Sequence, residues 1–331
     1  MPRMRNIAVA CLLAVLVLAT LSPAQQPPTK QLWLMLSTNT MQPMKIAGAP
    51  EQPAPGPTRT ITGVAEYAQA AKEPIYLTVP ADLALADNRL PLHVPETNTA
   101  GAGGETKPME LVTKTYWHPD EAQGPISDTL KMGAGRTGAT AGAPDLAAQQ
   151  AMGSENNLPP AVKGQGNYVL NTGGTATLDG YLAPLSVSAP DMSKLDVTKP
   201  IKVEWEAVPG ARGYFLAAMG MSLAGAGTDA AKMTQTLWVS TLIEPPARVR
   251  GGYMQDKSIA DDLKTGILLP AATTSCVIPG GIFKGINMLT LRVQAIGNDF
   301  YSVEGGVTVI GTIRSEWMGM AMLQEPEAMQ Q

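Results

Sequence analysis

The residues best suited to chemistry lie in the stretch TYWHPDE at positions 115–121. His118 stands close to Asp120 and Glu121, and an imidazole beside carboxylates can bind a metal ion or act in acid–base catalysis. A catalytic zinc ion needs three well-placed ligands, however, and Pro119 indicates a polar turn that closes a strand. We therefore expect a turn here, and the alternative is a metal-dependent enzyme that uses these residues.

Two further segments have some features of catalytic motifs. Ser222 lies in GMSLAG (220–225), where the second glycine is one position too far along for a hydrolase nucleophile elbow and no helix pattern follows. GAGRTGATAG (133–142) lacks the Gly-Lys-Ser/Thr ending of a phosphate-binding loop. The interpretation that we favour is therefore a protein without catalytic activity and without a cofactor.

Methionine is abundant, with 18 residues, and it alternates at Met219 and Met221 and again at Met318, Met320 and Met322. Clustered thioethers can bind Cu(I), because soft sulfur suits that ion. Alternate residues of a strand face one side, and methionine readily fills irregular space in a core. We therefore favour core packing over a copper site.

Five side chains are candidates for contact with a partner. Trp117 and Trp238 are the tryptophans that we expect to be exposed. Arg248, Arg250 and Tyr253 follow Pro-Pro in a long insertion between strands, and loops on a stable scaffold commonly carry binding residues. We predict that a protein or a glycan contacts some of these five residues.

The first 24 residues have the layout of a secretory signal peptide. Arg3 and Arg5 precede the apolar run 7–21, and the small residues Ser22 and Ala24 stand where a signal peptidase cuts. The apolar run is shorter than the ~20 residues that span a bilayer as a helix. We therefore predict a secreted or periplasmic protein without a transmembrane segment after cleavage.

Composition restricts the partners further. Charged residues make up only 16% of the chain, and the formal net charge of −4 becomes more negative when the two N-terminal arginines are removed. This balance gives no electrostatic surface for nucleic acid.

Cleavage of the signal peptide also removes Cys11, so that Cys276 is left without an intramolecular partner. The β-branched residues around Cys276 predict that it is a small buried hydrophobic residue. An intermolecular disulfide or a nucleophile is the alternative role for this thiol.

The rest of the chain predicts a mainly β protein, with 33 Gly and 28 Pro marking frequent turns. Its predicted parts are a Pro-rich linker (25–58, with one candidate strand at 32–36), an N-terminal β region (59–132, with helix only at 63–72), a low-complexity Gly/Ala linker (133–166), a β-sandwich (167–320) and a flexible tail (321–331).

Within the sandwich, PIKVEWEAV (200–208) alternates apolar and charged residues with the period of a half-buried antiparallel strand. We expect Trp205 and Tyr214, on either side of the next turn, to be buried between two layers. In the insertion, SIADDLKTG predicts one short helix that begins after Ser258 and stops at Gly266.

The pattern V-x-W-x-x-V-P-G-A-x-x-Y, from Val203 to Tyr214, resembles strands B and C of a fibronectin type III-like domain. LRVQAIGN (291–298) resembles strand F, although Leu289 and Leu291 stand where the family has a tyrosine. The chain is also similar to secreted bacterial proteins without an assigned activity, which combine a YW-containing strand with such a strand pair. The resemblance implies an immunoglobulin-like sandwich in an exported bacterial protein that binds a partner at the cell envelope or outside the cell. The alternative is an extracytoplasmic hydrolase that uses His118 with Asp120 or Glu121.

Overall fold

The structure is a computed structural model that describes nine segments of the chain: residues 30–43, 53–66, 74–93, 109–132, 150–224, 231–250, 252–255, 258–304 and 307–323. The predicted signal peptide and residues 324–331 of the predicted tail lie outside the described residues. So do residues 67–72 of the predicted helix and residues 133–149, half of the predicted Gly/Ala linker. Residues 321 and 322, which we assigned to the tail, belong to a strand.

The prediction of a mainly β protein is confirmed. No helix among the described residues is long and apolar enough to cross a membrane. The strands, in chain order, are β1 (Lys30–Gln42), β2 (Thr58–Glu66), β3 (Ile75–Thr78), β4 (Arg89–Leu92), β5 (Met109–Trp117), β6 (Gln123–Met132), β7 (Gln150–Leu158), β8 (Gly166–Leu170), β9 (Thr175–Leu178), β10 (Val187–Ala189), β11 (Ile201–Trp205), β12 (Gly213–Ala224), β13 (Ala231–Val239), β14 (Leu269–Pro270), β15 (Ser275–Ile278), β16 (Met288–Glu304) and β17 (Val307–Met322).

Most of these strands form one ten-stranded sheet. Its order is β6-β5-β13-β12-β16-β17-β1-β2-β7, and the short β14 also pairs with β12. Two pairs are parallel, β1 with β17 and β5 with β13, and the other neighbours are antiparallel. The strands β1 and β2, which come first in the described chain, therefore continue the sheet beside β17, which comes last.

A three-stranded sheet, β10-β11-β15, packs on one face of the large sheet. The alternation in β11 is as predicted, because Ile201, Val203 and Trp205 are buried while the residues between them are more exposed. Trp205 meets Tyr214 of β12 across the two layers, with ring centroids 5.2 Å apart. The backbone N–H of Val208 donates to Tyr214 Oη at 2.9 Å. The prediction that these two rings join two layers is confirmed.

The four-stranded sheet β4-β3-β8-β9 packs on the same face of the large sheet, over β1, β2 and β17. Two glycines permit this close approach. Gly63 and Gly311 both pair with Leu34 of β1. A Cβ at Gly311 would lie only 2.7 Å from a methyl group of Leu178, and one at Gly63 would lie 3.1 Å from a methyl group of Leu92. Both small sheets therefore share one continuous core with the large sheet.

Two segments that we interpreted as linkers contain strands. Residues 30–42 of the predicted Pro-rich linker form β1, and residues 150–158 of the predicted Gly/Ala linker form β7. Residues 63–66 of the predicted helix belong to β2. The linker and helix predictions were wrong for these residues, although the candidate strand at 32–36 lies within β1 and is confirmed. The full extent of β1 was missed because β1 is held on both sides by other strands, and such pairing leaves little local pattern in the chain.

The predicted helix of the insertion is confirmed as α1 (Ile259–Thr265). The Ser258 side chain accepts a hydrogen bond from the backbone N–H of Asp261, which satisfies one donor of the first turn. The helix stops at Gly266, whose φ of 79° is in the left-handed region that glycine adopts without strain.

The ten-stranded sheet has a second face, turned away from the two small sheets, which we call the outer face. The alternating methionines lie on it: Met219 and Met221 of β12, and Met318, Met320 and Met322 of β17. They are half-buried or exposed and belong to neither of the described hydrophobic clusters. The prediction that alternate methionines fill the core is therefore wrong, because the core side of these strands is occupied by the residues between them.

Candidate functional site

The described residues between β13 and β15 (240–250, 252–255 and 258–274) form an insertion that packs on the outer face, apart from β14, which pairs with β12 in the sheet. A second hydrophobic cluster holds it there, separate from the core under the small sheets. The buried members of this cluster come from the sheet and from the insertion: Phe215, Val239, Val249, Tyr253, Ile259, Ile267, Leu268 and Ile296. The insertion thus has a core of its own, which fixes its position on the scaffold.

Asp262 of α1 is the polar centre of the insertion. Its side chain is only 1% exposed. One carboxylate oxygen lies 2.7 Å from Arg248 Nη2, and the other accepts a hydrogen bond of 2.7 Å from Tyr253 Oη. Arg248 also donates to the carbonyl of Met254. A buried carboxylate is tolerated only when it is paired and hydrogen-bonded in this way.

Tyr253 is held in the protonated form by this arrangement. Burial of the ring, and then the hydrogen bond to the Asp262 carboxylate, raise the pKa of Tyr253 well above its usual value. The phenol therefore stays a hydrogen-bond donor at physiological pH. Its ring packs against Phe215 with centroids 5.9 Å apart, so this predicted contact residue is part of the support of the insertion and not of its surface.

A second set of polar contacts ties the insertion to the sheet. Asp299 of β16 accepts hydrogen bonds from Gln255 Nε2 at 2.8 Å and from the backbone N–H of Ile259 at 3.1 Å. Gln255 in turn accepts from Thr312 Oγ1 of β17 at 2.7 Å. Gln255 is buried, and its amide is satisfied on both sides. These contacts fix the beginning of α1 at the two longest strands.

Glu316 of β17 continues the polar row across the outer face. This buried carboxylate accepts from Gln294 Nε2 at 2.6 Å and lies 3.0 Å from Arg292 Nε and 3.7 Å from Arg314 Nη2. It also borders a cavity of about 280 Å³ beside the end of β1. Glu316 thus faces two guanidinium groups and one amide, and contacts of this kind are typical of a supporting network.

The exposed side of the insertion combines apolar side chains with charge. Leu242 is 47% exposed, Ile243 is 43% exposed and Met254 is 57% exposed. Next to them lies an open cavity of about 540 Å³. Its lining includes aliphatic side chains and both signs of charge: Ile243, Pro246, Arg248, Asp261, Asp262, Lys264, Thr265 and Ile267. We call this cavity together with Leu242 the insertion groove.

The five predicted contact residues are only partly brought together. Arg248 lines the insertion groove. Arg250 is close by, with Nη1 3.3 Å from Asp128 of β6 and Nε donating to the carbonyl of Pro245 at 3.2 Å. Tyr253 lies beneath the groove. The expectation that Trp117 is exposed is wrong, because its ring is half-buried against the second hydrophobic cluster.

Trp238 is fully buried, so the expectation that its ring is exposed is wrong. It pairs with Ala218 of β12, which faces the core under the small sheets, and its side chain points to the same side. Its indole N–H donates to the carbonyl of His118 at 3.2 Å. The position of β13 in the middle of the large sheet explains the burial, and this position could not be inferred from the local sequence.

The predicted turn at residues 118–121 is confirmed, and its side chains do not converge. His118 and Asp120 both have positive φ values, 76° and 68°. His118 Nδ1 lies 2.6 Å from the carbonyl oxygen of Pro119, and Asp120 and Glu121 are exposed. No group of three His, Cys, Asp or Glu residues in the described part of the chain is arranged to hold a metal ion. The turn therefore gives no support to the metal-enzyme alternative.

Cys276 of β15 is buried, in agreement with its prediction as a small core residue. Burial, with a further contribution from the charge of Asp120, raises the pKa of the Cys276 thiol to about 12. Since the thiolate is the nucleophile, this thiol is a poor candidate for catalysis.

We expect alkylation of Cys276 in the folded protein at pH 8 to be slower than in the unfolded chain by about a thousandfold or more, because the thiolate fraction falls tenfold per pKa unit. Mass spectrometry of the peptide that contains Cys276, after timed treatment with iodoacetamide with and without denaturant, measures both rates. Similar rates in the two samples would contradict the buried position.

Sequence reasoning found Arg248 and Arg250 but missed Leu242, Ile243 and Lys264. The available signal was the pair of aliphatic residues Leu242 and Ile243 just before Glu244 and Pro245, at a place where the strand rhythm had already ended. No family model matches the chain, and the comparison with curated proteins found no match. A function is therefore inferred from the geometry of the insertion groove.

Proposed function

We propose that this chain is an exported, non-catalytic binding protein that contacts a partner protein through the insertion groove. The observation that carries the proposal is the exposure of Leu242 and Ile243 beside a charged cavity, on a segment with its own core. Exposed apolar groups rimmed by charge are typical of protein-contact surfaces. The buried contacts of Asp262 and Asp299 hold this surface in one shape before a partner arrives, which reduces the entropic cost of binding.

The scaffold that presents the groove is proposed to be a fibronectin type III-like sandwich. Two features support this interpretation: the three strands β10-β11-β15 face the strands β13-β12-β16-β17, and Trp205 meets Tyr214 between the two layers. Two features depart from such a domain. The larger sheet continues into β1, β2 and β7 on one side and into β5 and β6 on the other, and β16 begins without the family's tyrosine.

A protein partner fits the groove better than a glycan. Sugar-binding surfaces commonly present aromatic rings, whose large apolar faces stack on a sugar ring. Trp238 and Tyr253 are buried, and the lining of the cavity consists of aliphatic and charged side chains. Arg248 and Lys264 with Asp261 instead offer both signs of charge, which suits a mixed protein surface.

Export is proposed from the predicted signal peptide in the first 24 residues. The basic residues, the apolar run and the small residues at the cleavage position support it. The partner is accordingly sought in the periplasm, at the cell envelope or outside the cell.

The proposal is tested with a photo-reactive amino acid at Ile243 in the full chain, irradiated in living cells. We expect a protein adduct from this position and none from Val169, an exposed apolar residue on β8. Replacing Lys264 with glutamate should reduce the adduct because the charge at the rim is reversed.

Equal adducts from residues 243 and 169, or no adduct from either, would overturn the assignment of the groove. An adduct that a glycosidase removes and a protease leaves intact would overturn the choice of a protein over a glycan. Both outcomes test the insertion specifically, because the control residue Val169 lies on a different sheet.

A further inference from the structure

The register of the large sheet brings methionines from three neighbouring strands into one row of the outer face. Met221 of β12 pairs with Met288 of β16, and Met288 pairs with Met322 of β17. Directly opposed residues on one face of an antiparallel pair have Cβ atoms about 4.5–5.5 Å apart. Three thioether side chains therefore stand side by side, with Met288 in the middle.

The next row of the same face adds two more thioethers. Met219 and Met320 both pair with Thr290, one from each side. The Met219 sulfur accepts a hydrogen bond of 3.0 Å from Gln235 Nε2 of β13. Met219 and Met320 are therefore the thioethers of the row next to Met221, Met288 and Met322.

These methionines lie outside the hydrophobic clusters that the structure describes. Met219, Met221, Met288 and Met320 are half-buried and Met322 is 57% exposed. None of them belongs to a described hydrophobic cluster, whereas Met192 does. Because these methionines are at most half-buried and lie outside the described clusters, they can change rotamers without loss of core packing.

We propose that Met221, Met288 and Met322 form a thioether site for Cu(I), with Met219 or Met320 able to supply a fourth sulfur. Thioether sulfur is a soft, uncharged ligand, and it selects Cu(I) over the divalent ions that prefer imidazole or carboxylate. The three rotatable bonds of methionine allow three neighbouring sulfurs to reach one ion. The site lies on the outer face away from the insertion groove, and it is independent of the proposed partner binding.

The experiment is an anaerobic titration of the full chain with Cu(I), in competition with a chromophoric Cu(I) chelator. We expect one tightly bound ion per chain, with a dissociation constant below about 1 μM. Ag(I), which has the same preference for soft ligands, serves as a redox-stable probe. With methyl-labelled methionine, Ag(I) should shift the NMR signals of Met221, Met288 and Met322 and leave that of Met192 unchanged.

Methionine-to-leucine replacements conserve volume and should not disturb the fold. Met288→Leu should weaken Cu(I) binding by at least about tenfold, because it removes the central soft ligand. Met322→Leu should also weaken it, whereas Met254→Leu should not. Met254 is the matched control, because it is equally exposed at 57% and lies on the insertion.

Three results would overturn the proposal. The first is a dissociation constant above about 1 μM for the unaltered chain. The second is an equal loss of affinity in Met254→Leu and Met322→Leu. The third is tight binding that persists when Met221, Met288 and Met322 are all leucine, which would assign the ion to other groups such as thiols.

Discussion

Replacement of Asp262 by alanine is expected to lower the free energy of unfolding by about 3–5 kcal/mol, the range found when one partner of a buried ion pair is removed. The carboxylate accepts from Arg248 and from Tyr253, each at 2.7 Å, in a site that is 1% exposed. Without it, a guanidinium and a phenol in the interior of the insertion lose this acceptor. Urea unfolding followed by tryptophan fluorescence measures the change, and hydrogen exchange shows whether the insertion opens alone.

Asp261→Ala is the matched control for this variant. Asp261 is the neighbouring carboxylate on the first turn of α1, and it is exposed, with its side chain accepting a hydrogen bond from Ser258 Oγ at the start of the helix. Its loss should cost no more than about 1 kcal/mol through the helix dipole and cap. If both variants lost the same stability, the insertion would not depend on the buried Asp262 contacts.

The second large effect is expected for Trp205. Trp205→Ala should lower the free energy of unfolding by about 3–5 kcal/mol, because it leaves a cavity between the three-stranded sheet and the large sheet. The ring is buried and packs on Tyr214 at a centroid distance of 5.2 Å. Chemical denaturation measures the loss. Tyr301→Ala, on an exposed part of β16, should stay within about 0.5 kcal/mol of the unaltered chain.

Trp205→Phe separates packing from hydrogen bonding at the same position. Trp205 Nε1 is buried and has no hydrogen-bond partner among the described residues. Replacement by phenylalanine therefore removes volume but breaks no hydrogen bond, and it should cost clearly less than replacement by alanine. Equal losses for the two variants would show that the indole N–H has a stabilising role that its surroundings do not indicate.

Local features of the fold were predictable from the sequence because each has a local cause. Helix α1 was marked by an N-cap serine and a stop glycine, and both act within one turn of the chain. Strand β11 was marked by alternation between Ile201 and Trp205, since one of its faces is buried and the other is not. Burial of Cys276 followed from its β-branched neighbours.

Long-range pairing was not predictable from the same patterns. Strand β1 lies in a Pro-rich stretch, and its place between β17 and β2 depends on partners far along the chain. The orientation of Trp238 and of the alternating methionines depends equally on which strand lies on either side. A period of two tells which residues share a face, and it does not tell which face meets the core.

In the candidate site, too, residues marked by a local pattern were predictable and contacts between distant segments were not. Arg248 and Arg250 were selected because the insertion departs from the rhythm of the strands, and the structure places them at or near the insertion groove. The support of the groove was missed, because the contact of Asp262 with Tyr253 joins a helix to a loop. Exposure of Leu242 and Ile243 depends on how the insertion lies on the outer face, which a single sequence does not encode locally.

The parallel pairing of β1 with β17 has a consequence for the order of events during synthesis. Lys30 emerges from the ribosome early, whereas its neighbour in the sheet, Val307, emerges only after almost all of the described residues. Until then β1 and β16 each lack β17 as a neighbour, and the entropy of closing so long a loop has not been offset. The large sheet can therefore close around β17 only after the last of the described strands has been synthesised.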